Sequence, residues 1–207
     1  MNNKLLKNVA SYSFGNLVSK TLLFLFGMIV ARLYGAAVYG QYNYAVSVVS
    51  YFIMFSNLGV QSYAVYSIAK EPERTAELYS KVLSLEIIFG AVSTAFLVIF
   101  VKIFPSNALM VLLVGSTILI SAINVDWLYK AKQDFKSVSV QVIMISLVQC
   151  LIVIIAAIYG ITNWMILPVA VSFAQFVGNC FLLFKVKKIY SIEYHLDVRD
   201  WTPLIKN

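Results

Sequence analysis

Lys20 and Glu86 are ionisable side chains set well inside long apolar stretches of this chain, and Asp126 lies near the end of another. A charge near the centre of a bilayer-depth helix costs about 2.5–3.5 kcal/mol even on the lenient insertion scale, so each such position needs a partner, water or a ligand. A lysine suits an anionic ligand; a carboxylate suits a proton or a small cation. Two structural readings compete with these. Lys20 could snorkel or pair with Glu86, and Glu86 could be a carboxylate reaching toward a nearby headgroup region. Asp126 and Glu86 are too far apart in sequence to argue as an acid–base pair without tertiary packing. The single His195, between Tyr194 and Asp197, has no Cys or His at metal-ligand spacing. The nine glycines are scattered and form no phosphate-binding loop. Cys150 and Cys180 fall inside apolar stretches and read as buried thiols. These residues call for no catalytic group, no metal and no cofactor.

Uncharged polar residues form longer patterns. Asn43, Ser47, Ser50, Asn57 and Gln61, with Met54 in the gap, recur at steps of three, four or seven. At 100° per residue they stay within an arc of about 80°. Ala45, Val48, Phe52 and Phe55 occupy the opposite face, which this spacing assigns to lipid. Pro168, Ser172, Gln175 and Asn179 repeat the design against Ala170, Phe173, Val177 and Phe184. Ser13, Asn16 and Lys20 make a third stripe, continued by Gly27 and Ala31, so Lys20 is expected to point inward. Thr117, Ser121 and Asn124, then Ser146 and Gln149, are weaker versions. A single Ser, Asn or Gln in such a place is more often glue between packed helices, at about 0.6–2 kcal/mol per contact. A stripe running the depth of a helix fits a water-filled lumen better, because glue needs one or two polar points and a lumen needs a continuous face.

The elements that carry these residues are six apolar stretches: Ser11–Leu33, Gln41–Ile68, Val82–Phe104, Leu109–Leu128, Val138–Ile158 and Met165–Phe184. Each reaches the roughly 20 residues that a helix rising 1.5 Å per residue needs to cross a bilayer. In lipid the backbone must satisfy itself, so each is predicted to be a helix. Of the 16 Lys and Arg residues, 13 gather on one side of the stretches, from Lys4 and Lys7 to Lys185, Lys187 and Lys188. Arg32 and Lys102 stand on the other side and Lys20 inside. The positive-inside rule then predicts both termini in the cytoplasm. A chain that is 61% hydrophobic and 12% charged is no soluble domain, and its net charge of +7 is an orientation signal toward anionic headgroups that requires no nucleic acid. The first stretch is too long for a secretion signal and is read as a retained helix. Tyr34, Tyr39, Tyr42, Tyr44, Tyr159 and Trp164 mark one membrane boundary, Trp127 and Tyr129 the other. Residues 1–184 thus read as one all-α lobe of six membrane helices. Residues 185–207 read as a basic segment in which Ile189, Ile192, Leu196 and Val198 suggest an interfacial helix.

Ala31-Arg32-Leu33-Tyr34-Gly35, Tyr39-Gly40-Gln41-Tyr42 and Phe55-Ser56-Asn57-Leu58-Gly59-Val60 resemble the polysaccharide biosynthesis, or O-antigen flippase, family. That family belongs to the superfamily of multidrug extruders and lipid-linked oligosaccharide flippases. Asp126-Trp127-Leu128-Tyr129 with Asp134-Phe135-Lys136 continues the resemblance, which covers nearly the whole chain. The chain departs from the family pattern at Ala36-Ala37-Val38 and at Lys130-Ala131-Lys132-Gln133. The resemblance implies two six-helix lobes around a central cavity, in the cytoplasmic membrane of a bacterium. It also implies passage of undecaprenyl-pyrophosphate-linked sugar repeats by alternating access. On that basis Lys20 would meet the anionic pyrophosphate, with Arg32 near the outer mouth, and Asn16, Asn43, Ser47, Asn57, Gln61, Gln175 and Asn179 would line the cavity. Glu86 would be the candidate for a coupling ion. The chain reads as one lobe, so the expected partners are lipid-linked oligosaccharide, membrane lipid, and a second lobe or second copy. A cation-coupled drug extruder is the alternative. A membrane-embedded glycan enzyme is a third reading, weakened by outer loops that contain no Asp, Glu or His.

Overall fold

A computed structural model describes residues 3–57 and 59–190, and helices with their connecting turns account for all of them. The order is α1 (Asn3–Asn57), α2 (Val60–Lys70), α3 (Thr75–Ile103), α4 (Ala108–Ser121), α5 (Asp126–Ala131), α6 (Phe135–Ile158) and α7 (Ile166–Lys185), followed by a π-helical turn at Val186–Tyr190. Four helical runs are long and apolar enough to cross a membrane: Ala10–Asn57, Pro72–Ile103, Phe135–Ile158 and Ile166–Lys188. This is a multi-pass membrane protein. The interfacial helix expected beyond Lys185, and His195 with it, lies largely outside the described residues.

Three of the six expected stretches correspond to one helix each: α3, α6 and α7. The others are handled differently. The first two are joined in α1, whose 48-residue apolar part would be about 72 Å long if straight. It is not straight. Gly35 has φ 84° and ψ 158°, a conformation essentially reserved for glycine. Phe26 and Tyr42, about 24 Å apart along a continuous helix, have ring centroids 5.9 Å apart. The chain therefore doubles back at Gly35 into two antiparallel arms, residues 3–34 and 36–57. Tyr34 Oη donates to Ile161 O at 3.1 Å and ties this reversal to the connection between α6 and α7.

The stretch Gln41–Ile68 is not one helix either. It ends at Asn57 and restarts as α2 after Gly59, which sits in the left-handed region at φ 75°. Likewise Leu109–Leu128 is divided. The helix α4 has 14 residues, about 21 Å, which falls short of a bilayer core. The chain leaves helical geometry at residues 122–125 and resumes as α5. Here Asn124 Oδ1 accepts the Asp126 backbone N–H at 3.3 Å, a local bond that competes with the helical ladder.

Two apolar layers hold the bundle. Phe26, Val30, Tyr42, Val49, Leu97, Val114, Ile118, Val153 and Leu167 form one. Val60, Ala64, Tyr79, Leu85, Val125, Trp127, Leu128, Val138 and Leu182 form the other. The arms of α1 approach their neighbours through small residues. A Cβ on Gly15 would lie 2.6 Å from Ser139 Cβ on α6, and Ser19 Oγ bonds Ser146 Oγ one turn further on. Cys150 Sγ donates to Leu22 O at 3.0 Å along the same seam. Asp134 starts α6, accepting Ser137 N–H at 3.2 Å and Ser137 Oγ–H at 2.5 Å. Lys185 Nζ, at the end of α7, reaches Asp134 Oδ2 at 3.2 Å and clips the two helix ends together.

Candidate functional site

The polar stripe of the second arm of α1 faces out of the lobe. Asn43, Ser47, Ser50 and Met54 are exposed, and Asn57 is half-buried. The expected lipid face is largely turned inward instead. Ala45 is fully buried, Val48 and Phe52 pack against the core, and only Phe55 stays exposed. Helical spacing places two faces on opposite sides but does not say which one packs; here α3, α4 and α6 supply apolar surface, so the apolar face goes to them. The stripe is partly self-satisfied. Asn43 Nδ2 donates to Tyr39 O at 3.0 Å, Ser47 Oγ to Asn43 O at 2.8 Å and Ser50 Oγ to Val46 O at 2.7 Å.

Lys20 is exposed on the first arm and Asn16 is half-buried. The pairing of Phe26 with Tyr42, and of Gly27 with Tyr39, sets the register of the hairpin. Counted back from it, Lys20 sits at the depth of Ser47. Its exposed neighbours Phe14, Leu17 and Phe24 make the first arm's outer face mixed, where a polar stripe was expected. Lys20 forms no ion pair among the described residues, so it does not pair with Glu86. Arg32, near the reversal, is exposed and also unpaired among the described residues.

The seventh helix behaves otherwise. Asn179 is 3% exposed. Its Oδ1 accepts from Gln141 Nε2 at 3.0 Å and its Nδ2 donates to Ile120 O at 2.6 Å. Gln141 Nε2 also donates to Asn124 Oδ1 at 3.1 Å. The cavity role expected for Asn179 is thus replaced by glue. It occupies the carbonyl of Ile120 just before the interruption of α4, which a continuous helix would have used itself. Gln141 was not singled out in the sequence; a lone amide inside an apolar run was the available signal. Gln175 is half-buried, with Oε1 buried and unbonded. Ser172 bonds Ser116 Oγ at 2.8 Å across α4 and α7.

Glu86 is the most unusual position. It is 1% exposed on α3, which removes the snorkelling reading, and neither carboxylate oxygen has a hydrogen-bond partner. Gln61, in the first turn of α2, is close enough to interact with it without meeting hydrogen-bond geometry, and Asp126, in the first turn of α5, is within electrostatic range. Two helix restarts therefore converge on one buried acid, and the two acids that sequence separation kept apart share a neighbourhood. Asp126 is itself neutralised by Lys130 Nζ at 2.6 Å. Among the described residues no group of His, Cys, Asp and Glu is arranged to hold a metal.

An aromatic cavity of about 560 Å³ lies between the second arm of α1 and α3, lined by Phe52, Phe55, Phe89, Phe96 and Phe100. The arrangement as a whole presents an exposed polar stripe on the second arm of α1, an exposed Lys20 on the mixed outer face of the first, an apolar groove beside the second arm and a buried acid at two helix interruptions. No curated protein and no solved structure matches the chain. A family model described as polysaccharide biosynthesis protein matches residues 5–207, and the chain belongs to that family.

Proposed function

We propose that this protein is a transporter, not an enzyme, that moves undecaprenyl-pyrophosphate-linked oligosaccharide repeats across a bacterial cytoplasmic membrane. The carrying observation is the outward face of the α1 hairpin, where Lys20 stands unpaired at the depth of Ser47. An exposed lysine at that depth has no use against lipid but suits an anionic pyrophosphate. Asn16, Asn43, Ser47 and Asn57 would contact the hydrophilic headgroup beside it, with Gln61 and Gln175 at the edges and Arg32 at the mouth. In this reading six segments cross the membrane with both termini inside. The α1 hairpin supplies two crossings and α4 with α5 supplies one in two pieces. The outer face meets a second lobe or a second copy, and the two halves rock against each other around the headgroup while the lipid tail stays in the bilayer.

The test is Lys20→Ala in the full-length protein, in cells depending on it for surface polysaccharide. Export should fall and lipid-linked repeats should accumulate inside, at normal protein levels. Unchanged export would remove Lys20 from the mechanism. The unpartnered Glu86 favours one second reading, a cation-coupled drug extruder of the same superfamily. Dye efflux that depends on Glu86 but not on Lys20 would support that reading over the first.

A further inference from the structure

Among the described residues no cation pairs with Glu86, and four lysines of α2, α3 and the α5 region have partners of their own. Lys130 holds Asp126 at 2.6 Å, Lys81 holds Glu77 at 2.9 Å, Lys132 donates to Thr75 Oγ1 at 2.9 Å, and Lys70 stacks over the Tyr66 ring at 4.4 Å. The polar groups that act on it are Gln61 on α2 and the like-charged Asp126 on α5. An ionised carboxylate sealed in this place, with no donor on either oxygen, would carry an uncompensated desolvation penalty of several kcal/mol. A neutral carboxyl needs only one acceptor for its O–H, and the Gln61 amide, which can donate or accept, is its polar neighbour. A bound hard cation would require about six oxygens, and the second carboxylate that could contribute is committed to Lys130. Another unmet polar atom belongs to the same layer. Trp127 Nε1 on α5 is buried without an acceptor, and its ring packs on Tyr79, two turns before Glu86 on the same face of α3.

We propose that Glu86 is a proton-binding site and that the interruptions at Gly59 and at residues 122–125 are its gate. With the proton bound, α2 and α5 close over the acid as observed. Its loss leaves a charge that the closed packing cannot solvate, so water enters between α2 and α5, and the short helices part at joints that already lack continuous backbone bonding. Only the use of this step in transport rests on the flippase reading. The protonated carboxyl does not.

The site can be read by infrared difference spectroscopy of the purified full-length protein in lipid bilayers, across a pH series in sodium-free buffer. Wild type should show the C=O band of a protonated carboxylic acid at neutral pH, lost on alkalinisation. Glu86→Gln should abolish the band, and Glu86→Asp, which keeps the acid, should shift it. Absence of any band sensitive to Glu86 at all pH values would overturn the proposal. So would its disappearance on adding sodium at constant pH, which would make this a metal-cation site. For the gate, a cysteine at Ala64, buried on α2, in a background lacking Cys150 and Cys180, should label with a water-soluble thiol reagent at alkaline pH several-fold faster than the same cysteine in a Glu86→Gln background at the same pH, a comparison in which thiol ionisation cancels. Equal rates in the two backgrounds at alkaline pH would overturn the gate. None of these readouts uses export, so loss of the flippase reading through Lys20→Ala remains a separate result.

Discussion

Replacing Gly35 with Ala places a methyl group in open space, since a Cβ there would meet no atom within 4 Å. Any penalty must therefore come from the backbone. At φ 84° and ψ 158° a non-glycine residue carries a strain of about 1–3 kcal/mol. Alanine also restricts the unfolded chain, which returns about 0.4–1 kcal/mol to the folded state. The net expectation is a loss of roughly 1–2 kcal/mol. Gly40 is the internal control. It too has nothing within 4 Å but has ordinary helical geometry, so Gly40→Ala should gain about 0.5–1 kcal/mol. The two substitutions differ only in backbone conformation and should separate by roughly 2 kcal/mol in reversible unfolding in mixed micelles. Cross-linking gives a geometric check. Cysteines at Phe26 and Tyr42, with Cys150 and Cys180 removed, should join through a short thiol-reactive linker. They could not do so about 24 Å apart on a straight helix. Equal stability of the two alanine variants, together with no cross-link, would refute the reversal at Gly35.

Asn179→Leu should destabilise the protein by about 1–3 kcal/mol, because it removes one of the two acceptors of the Gln141 amide and the side-chain donor to the Ile120 carbonyl. Adding Gln141→Leu should cost clearly less than the sum of the two single changes, and a double-mutant cycle showing additivity would dissolve the network. The carboxyl of Asp134 is raised by its partial burial, but the Ser137 hydroxyl, Lys185 and the Ser137 N–H outweigh that effect and hold it below the usual carboxylate value. A depressed value means stability that is present above the unfolded value of about 3.9 and lost as pH falls through the folded one. Asp134→Asn should therefore lower the melting temperature at neutral pH, with the gap to wild type closing as pH drops below about 3.9. A gap that stays constant into acid would show that the ionised form is not what stabilises the helix ends.

Much of the architecture was legible from residues alone. Long apolar runs could only be helices in lipid, and α3, α6 and α7 follow the expected stretches closely. Gly15 and Ser19, small residues four apart, meet α6 in a close crossing of the kind that such spacing permits. The candidate site was less legible. The spacing of Asn43, Ser47 and Ser50 defined a face but not its direction, and Phe52 and Ala45 turned inward because packed neighbours offered the larger apolar contact. Asn179 looked equivalent to Asn43 in sequence, yet one is buried among three amides and the other is exposed.

By itself, then, the sequence determined membrane residence, helical class and the location of the few ionisable groups, because transfer free energy and charge are properties of individual residues and add along a chain. Where the helices break was decided by single backbone angles at Gly35 and Gly59 and by the side-chain bond of Asn124, none of which hydropathy registers. The gathering of Gln61, Glu86 and Asp126 was decided by tertiary structure alone. It arises from two helix restarts packing on a third helix, and contacts between residues so far apart depend on the geometry of the whole bundle.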